Sequence, residues 1–209
     1  MSLTFYTNPM SRGRIIRWML EEVGQPYNTV VLDYGTTMKG PDYLAINPMG
    51  KVPAIKHGDT VVTEAAAICA YLADAFPDAG LAPPHASKDR GPYYRWLFYA
   101  AGCVEAMASN HGLGVVVPDE KRGMVGYGSR EAVMDTLEYA VKDKTYIAGD
   151  RFTAADLYLG SQIGWAMQFG TIEKRPAFEA YWSRLAARPA AIRAREIDDA
   201  LIAEQQKPA

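Results

Sequence analysis

Three short segments combine residue types that can hold a small charged ligand and activate it. In Asn8-Pro9-Met10-Ser11-Arg12 a hydroxyl stands where a strand-like run gives way to a helix-like one. A helix amino end, with the cations Arg12 and Arg14 close in sequence, is a setting that favours a thiolate. An unperturbed thiol with a pKa of about 8.5 is only a few per cent ionised at neutral pH. Lowering that value by about two units makes most of it nucleophilic, for about 2.7 kcal/mol. One charge-assisted hydrogen bond and a helix terminus supply energy of that order. Ser11 is equally suited to an ordinary N-cap, so the hydroxyl alone does not decide.

In Thr63-Glu64-Ala65 a strand turns into a helix. Unpaired backbone N–H groups at such a start can bind a carboxylate while the Glu64 side chain pairs with an ammonium, which together would hold an amino-acid head group. Glu64 could instead simply complement the helix dipole. The third segment, Asn47-Pro48-Met49-Gly50-Lys51-Val52-Pro53-Ala54, puts a proline at the mouth of a strand, where it removes a ladder donor. If Val52-Pro53 is cis, the Val52 backbone can pair with an extended peptide; a plain strand-start proline is the other reading.

The elements that must position these segments follow from periodicity. Leu3 to Thr7 reads as a strand. Ile15, Ile16, Met19, Leu20 and Val23 make one helical face between Arg12 and Val23, with Gly24 as its stop. Thr29 to Leu32 is a continuous apolar strand, which predicts cover on both faces. The resulting β-α-β unit implies parallel strands and a right-handed crossover. Val52 to Lys56 and Thr60 to Thr63 flank His57-Gly58-Asp59 as a hairpin, and Ala65 to Phe76 is helical with Ala65, Ile68 and Leu72 on one face. The prediction is an α/β thioredoxin-like domain (βαβ-ββα) over 1–79.

The proline-rich stretch 80–87 reads as a linker, and beyond it strand signals almost vanish. Helices are predicted over Tyr93 to Asn110, Glu131 to Asp143, Ala154 to Phe169, Pro176 to Ala187 and Pro189 to Ala203, an all-α domain spanning 88–209. Thr153 and Asp156 form a capping box with Asp in the usual Glu position, so both belong to helix nucleation.

Composition narrows the function class. A net charge of −2 with interspersed signs gives no basic block for nucleic acid. Apolar runs fall short of the ~18 residues a membrane span needs, and the start lacks a signal-like leader, which predicts a cytoplasmic protein. Cys69 and Cys103 lie in helix-like sequence, outside any C-x-x-C pair, and are expected as buried small apolar residues in a reducing compartment. His57, His85 and His111 have no metal-ligand spacing.

Order and spacing of the segments are more specific than any one of them. INPMGKVPAI, a hairpin and TEAAAICAYLADAFP resemble the glutathione-site signature of the cytosolic glutathione transferases. LTFYTNPMSRGRIIRWMLEEVGQPY is similar to that family's first β-α-β unit and FTAADLYL to its second-domain capping motif, so the resemblance covers essentially the whole chain. Spacing in the first domain is similar to bacterial beta-type members.

The resemblance implies a glutathione transferase acting on a small, hydrophobic electrophile, with glutathione as co-substrate, no cofactor or metal, and a homodimer built on the third and fourth helices. It implies that Val52, beside a cis Pro53, clasps the cysteinyl backbone. Glu64 and the backbone of Ala65 would take the γ-glutamyl end, and Lys51 and Lys39 the glycyl carboxylate. Ser11 falls where beta-type members carry cysteine and other classes serine, which makes it the expected thiolate stabiliser; Asn8, Tyr6 and Arg12 are its alternatives. Position 65 is alanine where many members have serine, and the missing cysteine at 11 argues against mixed-disulfide chemistry. Met10, Arg12, Tyr99, Cys103, Met107 and Trp165 are candidates for the second-substrate pocket, or else ordinary helical core. Glutathione-dependent peroxide reduction or isomerisation, and a non-catalytic glutathione-binding module, are the competing functions.

Overall fold

A computed structural model describes residues 1–207. It divides into two compact units, one formed by Met1–Leu81 together with the residues from Arg188 on, the other by Ala82–Ala187.

The first unit contains β1 (Leu3–Thr7), α1 (Gly13–Val23), β2 (Asn28–Val31), the short α2 (Pro41–Leu44), β3 (Ala54–His57), β4 (Thr60–Thr63) and α3 (Ala65–Ala75). The sheet order is β2-β1-β3-β4, with β1 and β2 parallel and the other pairs antiparallel. This is the predicted βαβ-ββα arrangement. The apolar face of α1 (Ile15, Ile16, Met19, Leu20, Val23) is buried as its spacing requires, and Gly24 ends the helix in the left-handed conformation. Phe5, Ile55, Ile68, Cys69 and Leu72 complete the core.

One strand departs from expectation. All of β2 is exposed, although its apolar run predicted cover on both faces. It ends the sheet and pairs only with β1, and burial begins one residue later at Leu32, whose N–H donates to the Thr7 carbonyl at 2.8 Å. The hairpin also starts late. β3 begins at Ala54 because Pro53 has no N–H to give the ladder.

The helix α9 (Pro189–Gln205), which the sequence grouped with the second domain, belongs to the first unit and packs along α1. Arg17 and Asp198 pair in the contact at 3.1 Å, with Arg14–Asp199, Arg193–Glu21 and Arg188–Glu22 around them.

The second unit is helical: α4 (Arg90–Tyr99), α5 (Glu105–Gly112), α6 (Arg130–Val141), α7 (Ala154–Gln168) and α8 (Pro176–Ala186). A π turn over Ala100–Val104 joins α4 to α5, so the predicted long helix starts three residues early and changes its winding in the middle. α7 is buried on nearly every side. Its capping box is formed, and the Asp156 carboxylate also accepts from the Ile147 N–H (2.8 Å) and the Tyr181 hydroxyl (2.7 Å). Four donors thus converge on one buried anion, which offsets its desolvation. Cys69 is buried, and burial pushes its thiol well above the ordinary range. Cys103, expected to be buried, is only half-buried.

Candidate active site

Strand register brings the three segments to one end of the first-unit sheet. Tyr6 of β1 pairs with Ala54 of β3, and Ala54 pairs with Thr63 of β4. Antiparallel pairing therefore puts the end of β1, the start of β3 and the end of β4 side by side. From them run Asn8 to Arg12, Val52-Pro53, and Glu64-Ala65.

Asn8 organises the first of these. Its Nδ2 donates to the Leu32 carbonyl at 2.8 Å, and its Oδ1 accepts from the Met10 N–H at 3.0 Å. The side chain thus closes its own turn while anchoring it to the residue after β2. The Ser11 hydroxyl donates to the Asn8 carbonyl at 2.6 Å and accepts from the Gly13 N–H at 2.9 Å. Ser11 is therefore a local cap at the start of α1, with an oxygen held at the helix amino end and a proton that can be re-aimed. Tyr34, which the sequence did not single out, donates its hydroxyl to the Met10 carbonyl at 3.0 Å. Arg14, expected to lend its charge to this end, is paired with Asp199 at 2.6 Å.

The second segment repeats the device. Asn47 is buried, its Oδ1 accepts from the Met49 N–H at 3.1 Å, and its Nδ2 donates to the Lys51 carbonyl at 2.7 Å. The Tyr43 hydroxyl reaches the same carbonyl at 2.6 Å. Two donors thus fix the peptide immediately before Val52. Burial pushes the Tyr43 phenol up to about 12, so it stays a donor through the neutral range. Beneath the loop Leu32, Met38, Tyr43 and Ala54 form a buried cluster against which Val52, Tyr6 and Ile46 pack. The Val52–Pro53 bond is cis. Lys51 is exposed; Lys39 donates its ammonium to the Gly50 carbonyl at 2.7 Å and so also braces the loop.

In the third segment Glu64 is exposed with φ 65° and ψ 118°, a left-handed backbone that costs a residue bearing a Cβ. Ala65 opens α3, whose first N–H groups lack helical partners.

Family models match both parts of the chain: the glutathione S-transferase N-terminal domain over residues 10–75, and the C-terminal domain over residues 118–189. The curated protein "Glutathione S-transferase GstA" of Escherichia coli O157:H7 is 34% identical over 197 residues, covering 90% of this chain and 92% of its own. The chain belongs to the glutathione S-transferase family. A solved glutathione transferase from Methylococcus capsulatus superposes with a TM-score of 0.78 at 28% identity, covering 94% of this chain and 98% of its own. A Sulfitobacter homologue, solved with bound glutathione, gives 0.74 at 27% identity, with 94% and 98% coverage. The chain is a thioredoxin-like domain followed by helices, and its function is that of a glutathione transferase.

The second-substrate candidates of this transferase lie apart in sequence. Met10 is 62% exposed, and Arg12 is exposed at the start of α1. In the second unit the Tyr99 hydroxyl donates to the Val133 carbonyl at 3.3 Å, and burial raises its phenol. Met107 is packed in the core of that unit. Cys103 is half-buried on the π turn, and the half-buried Trp165 sits edge-on to Phe169. No group of three His, Cys, Asp or Glu residues is arranged to hold a metal among the described residues, nor is any helix there long and apolar enough to cross a membrane. His57 shares a hydrogen bond with the Tyr71 hydroxyl at 3.0 Å. Asn47, Tyr43 and Tyr34 were missed in the sequence. The signal for Asn47 was there, since Asn-Pro-Met occurs twice.

Proposed function

We propose that the segments gathered at the end of the first-unit sheet bind glutathione and that Ser11 holds its sulfur as thiolate. The observation that carries this reading is the Ser11 oxygen, fixed by the Gly13 N–H at the amino end of α1. Val52 takes the cysteinyl backbone of the tripeptide. Glu64 and the Ala65 N–H take the ammonium and carboxylate of the γ-glutamyl group, and Lys51 the glycyl carboxylate, with Lys39 supporting the loop. The bound thiol gives its proton to water. Ser11 turns its own proton from the Asn8 carbonyl toward the sulfur, and the helix end adds favourable potential. The thiolate then attacks the electrophilic carbon of a hydrophobic substrate, forming a C–S bond as the leaving group departs with its electron pair. Residues 1–79 serve as the glutathione domain, and helices α4 to α8, after the 80–87 linker, serve as the electrophile domain, with Tyr99, Cys103 and Trp165 as its candidate contacts.

Conjugation of a chloronitrobenzene with release of chloride tests the reading. Ser11→Ala is expected to lower kcat about 10²-fold and raise the pKa of the bound thiol, in line with removal of one charge-stabilising donor. An unchanged rate and pKa in Ser11→Ala removes Ser11 from the chemistry.

A homodimer in the cytoplasm completes the proposal. On α4 Phe98 is 70% exposed and Tyr94 stacks beside it, an aromatic face suited to a second copy. Light scattering at the mass of one chain would exclude it.

A further inference from the structure

We propose that Gly13 is a positioning residue for Ser11, an inference that rests on the role given to Ser11 above. Two observations carry it. The Gly13 N–H donates to Ser11 Oγ at 2.9 Å, so the hydroxyl oxygen is held by the backbone of the first residue of α1. An oxygen that accepts a hydrogen bond donates its own proton more strongly, which suits a hydroxyl facing a thiolate. The second observation is the lack of room. A Cβ at Gly13 would stand 2.0 Å from Thr7 Oγ1, 3.1 Å from Thr7 Cβ and 3.0 Å from Ser11 Oγ.

Thr7 cannot easily yield. It is the last residue of β1, fully buried, and β-branched with restricted χ1 freedom. Its hydroxyl also leans on the Asn8 carbonyl at 3.4 Å, the same oxygen that takes the Ser11 proton. Gly13 has an ordinary helical place in the chain, so backbone freedom is not the reason for glycine here. The reason is that the end of β1 and the start of α1 approach too closely for any side chain. That approach sets where the Ser11 oxygen stands. A side chain at 13 would push the first turn of α1 off the strand and carry the N–H away from Ser11.

The test compares Gly13→Ala, Ser11→Ala and the double variant Thr7→Ala/Gly13→Ala with the unmodified enzyme, reading kcat, the KM for glutathione and the pKa of the bound thiol. Gly13→Ala is expected to lower kcat about tenfold or more and to raise the thiol pKa, with the glutathione KM within about twofold, because misplacement on the order of 1 Å is enough for such losses. The double variant, in which the contact with Thr7 Oγ1 is gone and the two near 3 Å remain, is expected to recover part of the rate and of the pKa. A merely structural role would lower the melting temperature without moving the pKa. If Ser11→Ala loses activity while Gly13→Ala keeps both rate and pKa, the positioning role falls and Ser11 stands. If Ser11→Ala is unchanged, the assignment of Ser11 itself has failed. Loss in Gly13→Ala without recovery in the double variant also overturns the inference. Should Gly13→Ala fail to fold, a backbone ester at position 13 removes the N–H without adding a side chain. A normal thiol pKa in that protein rejects the role, and a raised one supports it.

Discussion

Arg17 and Asp198, distant in sequence, form an ion pair at 3.1 Å whose side chains are 2% and 1% exposed. Arg17 also donates to Thr29 Oγ1 (2.8 Å) and the Tyr27 hydroxyl (3.2 Å), and its guanidinium lies over the Phe5 ring. The pair joins α9 to α1 inside the first unit. Asp198→Ala leaves a buried cation uncompensated and is expected to cost about 3–5 kcal/mol. Replacing both partners, Arg17→Met with Asp198→Leu, is expected to restore much of that. Urea unfolding midpoints of the three proteins check it.

Asp156 is the corresponding point in the second unit. Asp156→Ala strips the acceptor from two backbone N–H groups and two hydroxyls and is expected to cost about 3–5 kcal/mol. Thr153→Ala, which loses the cap and one of the four donors to Asp156, is expected to cost about 1 kcal/mol. Near-equal losses in thermal unfolding would count against the carboxylate as the centre of this network.

Under the proposed role of Glu64, its backbone sets stability against binding. Its left-handed backbone (φ 65°) carries strain that glycine would relieve. Glu64→Gly is expected to gain up to about 1 kcal/mol of stability. It is also expected to weaken glutathione binding, because the ammonium would lose the partner proposed for it. Calorimetric titration paired with unfolding tests both halves.

The Tyr43 hydroxyl bond to Lys51 predicts an alkaline limit. Burial moves this phenol from 10.0 to about 12. The folded state therefore holds a proton that the unfolded state has lost between those values. Its contribution is fully present below pH 10 and disappears as pH rises toward 12. Tyr43→Phe is expected to flatten that part of the stability profile. Asn47→Ala, which loosens the same carbonyl, is expected to raise the glutathione KM several-fold while kcat holds.

Local chemistry was readable in the amino-acid order. The face of α1, the Gly24 stop, the hairpin, and the Thr153–Asp156 box all depend on neighbours a few residues away. The β2 run misled because exposure depends on where a strand falls in the sheet, which its own residues do not encode. The placement of α9 was hidden for a related reason: Asp198 and Arg17 look like solvated charges until they meet.

The candidate site divides in the same way. Its segments were visible because motif spacing survives in sequence. The direction of the Ser11 proton, the pairing of Arg14 with Asp199, and the bond from Lys39 to the Gly50 carbonyl were not. Each of these depends on a side-chain rotamer choosing among several partners, a choice made only when the surrounding backbone is in place.

The first unit is interrupted: its sheet is written before residue 82, yet the helix lying along α1 comes only after residue 187. A ribosome therefore releases the whole second unit before the first can be completed. During that interval Arg14 and Arg17 on α1 await their partners Asp199 and Asp198.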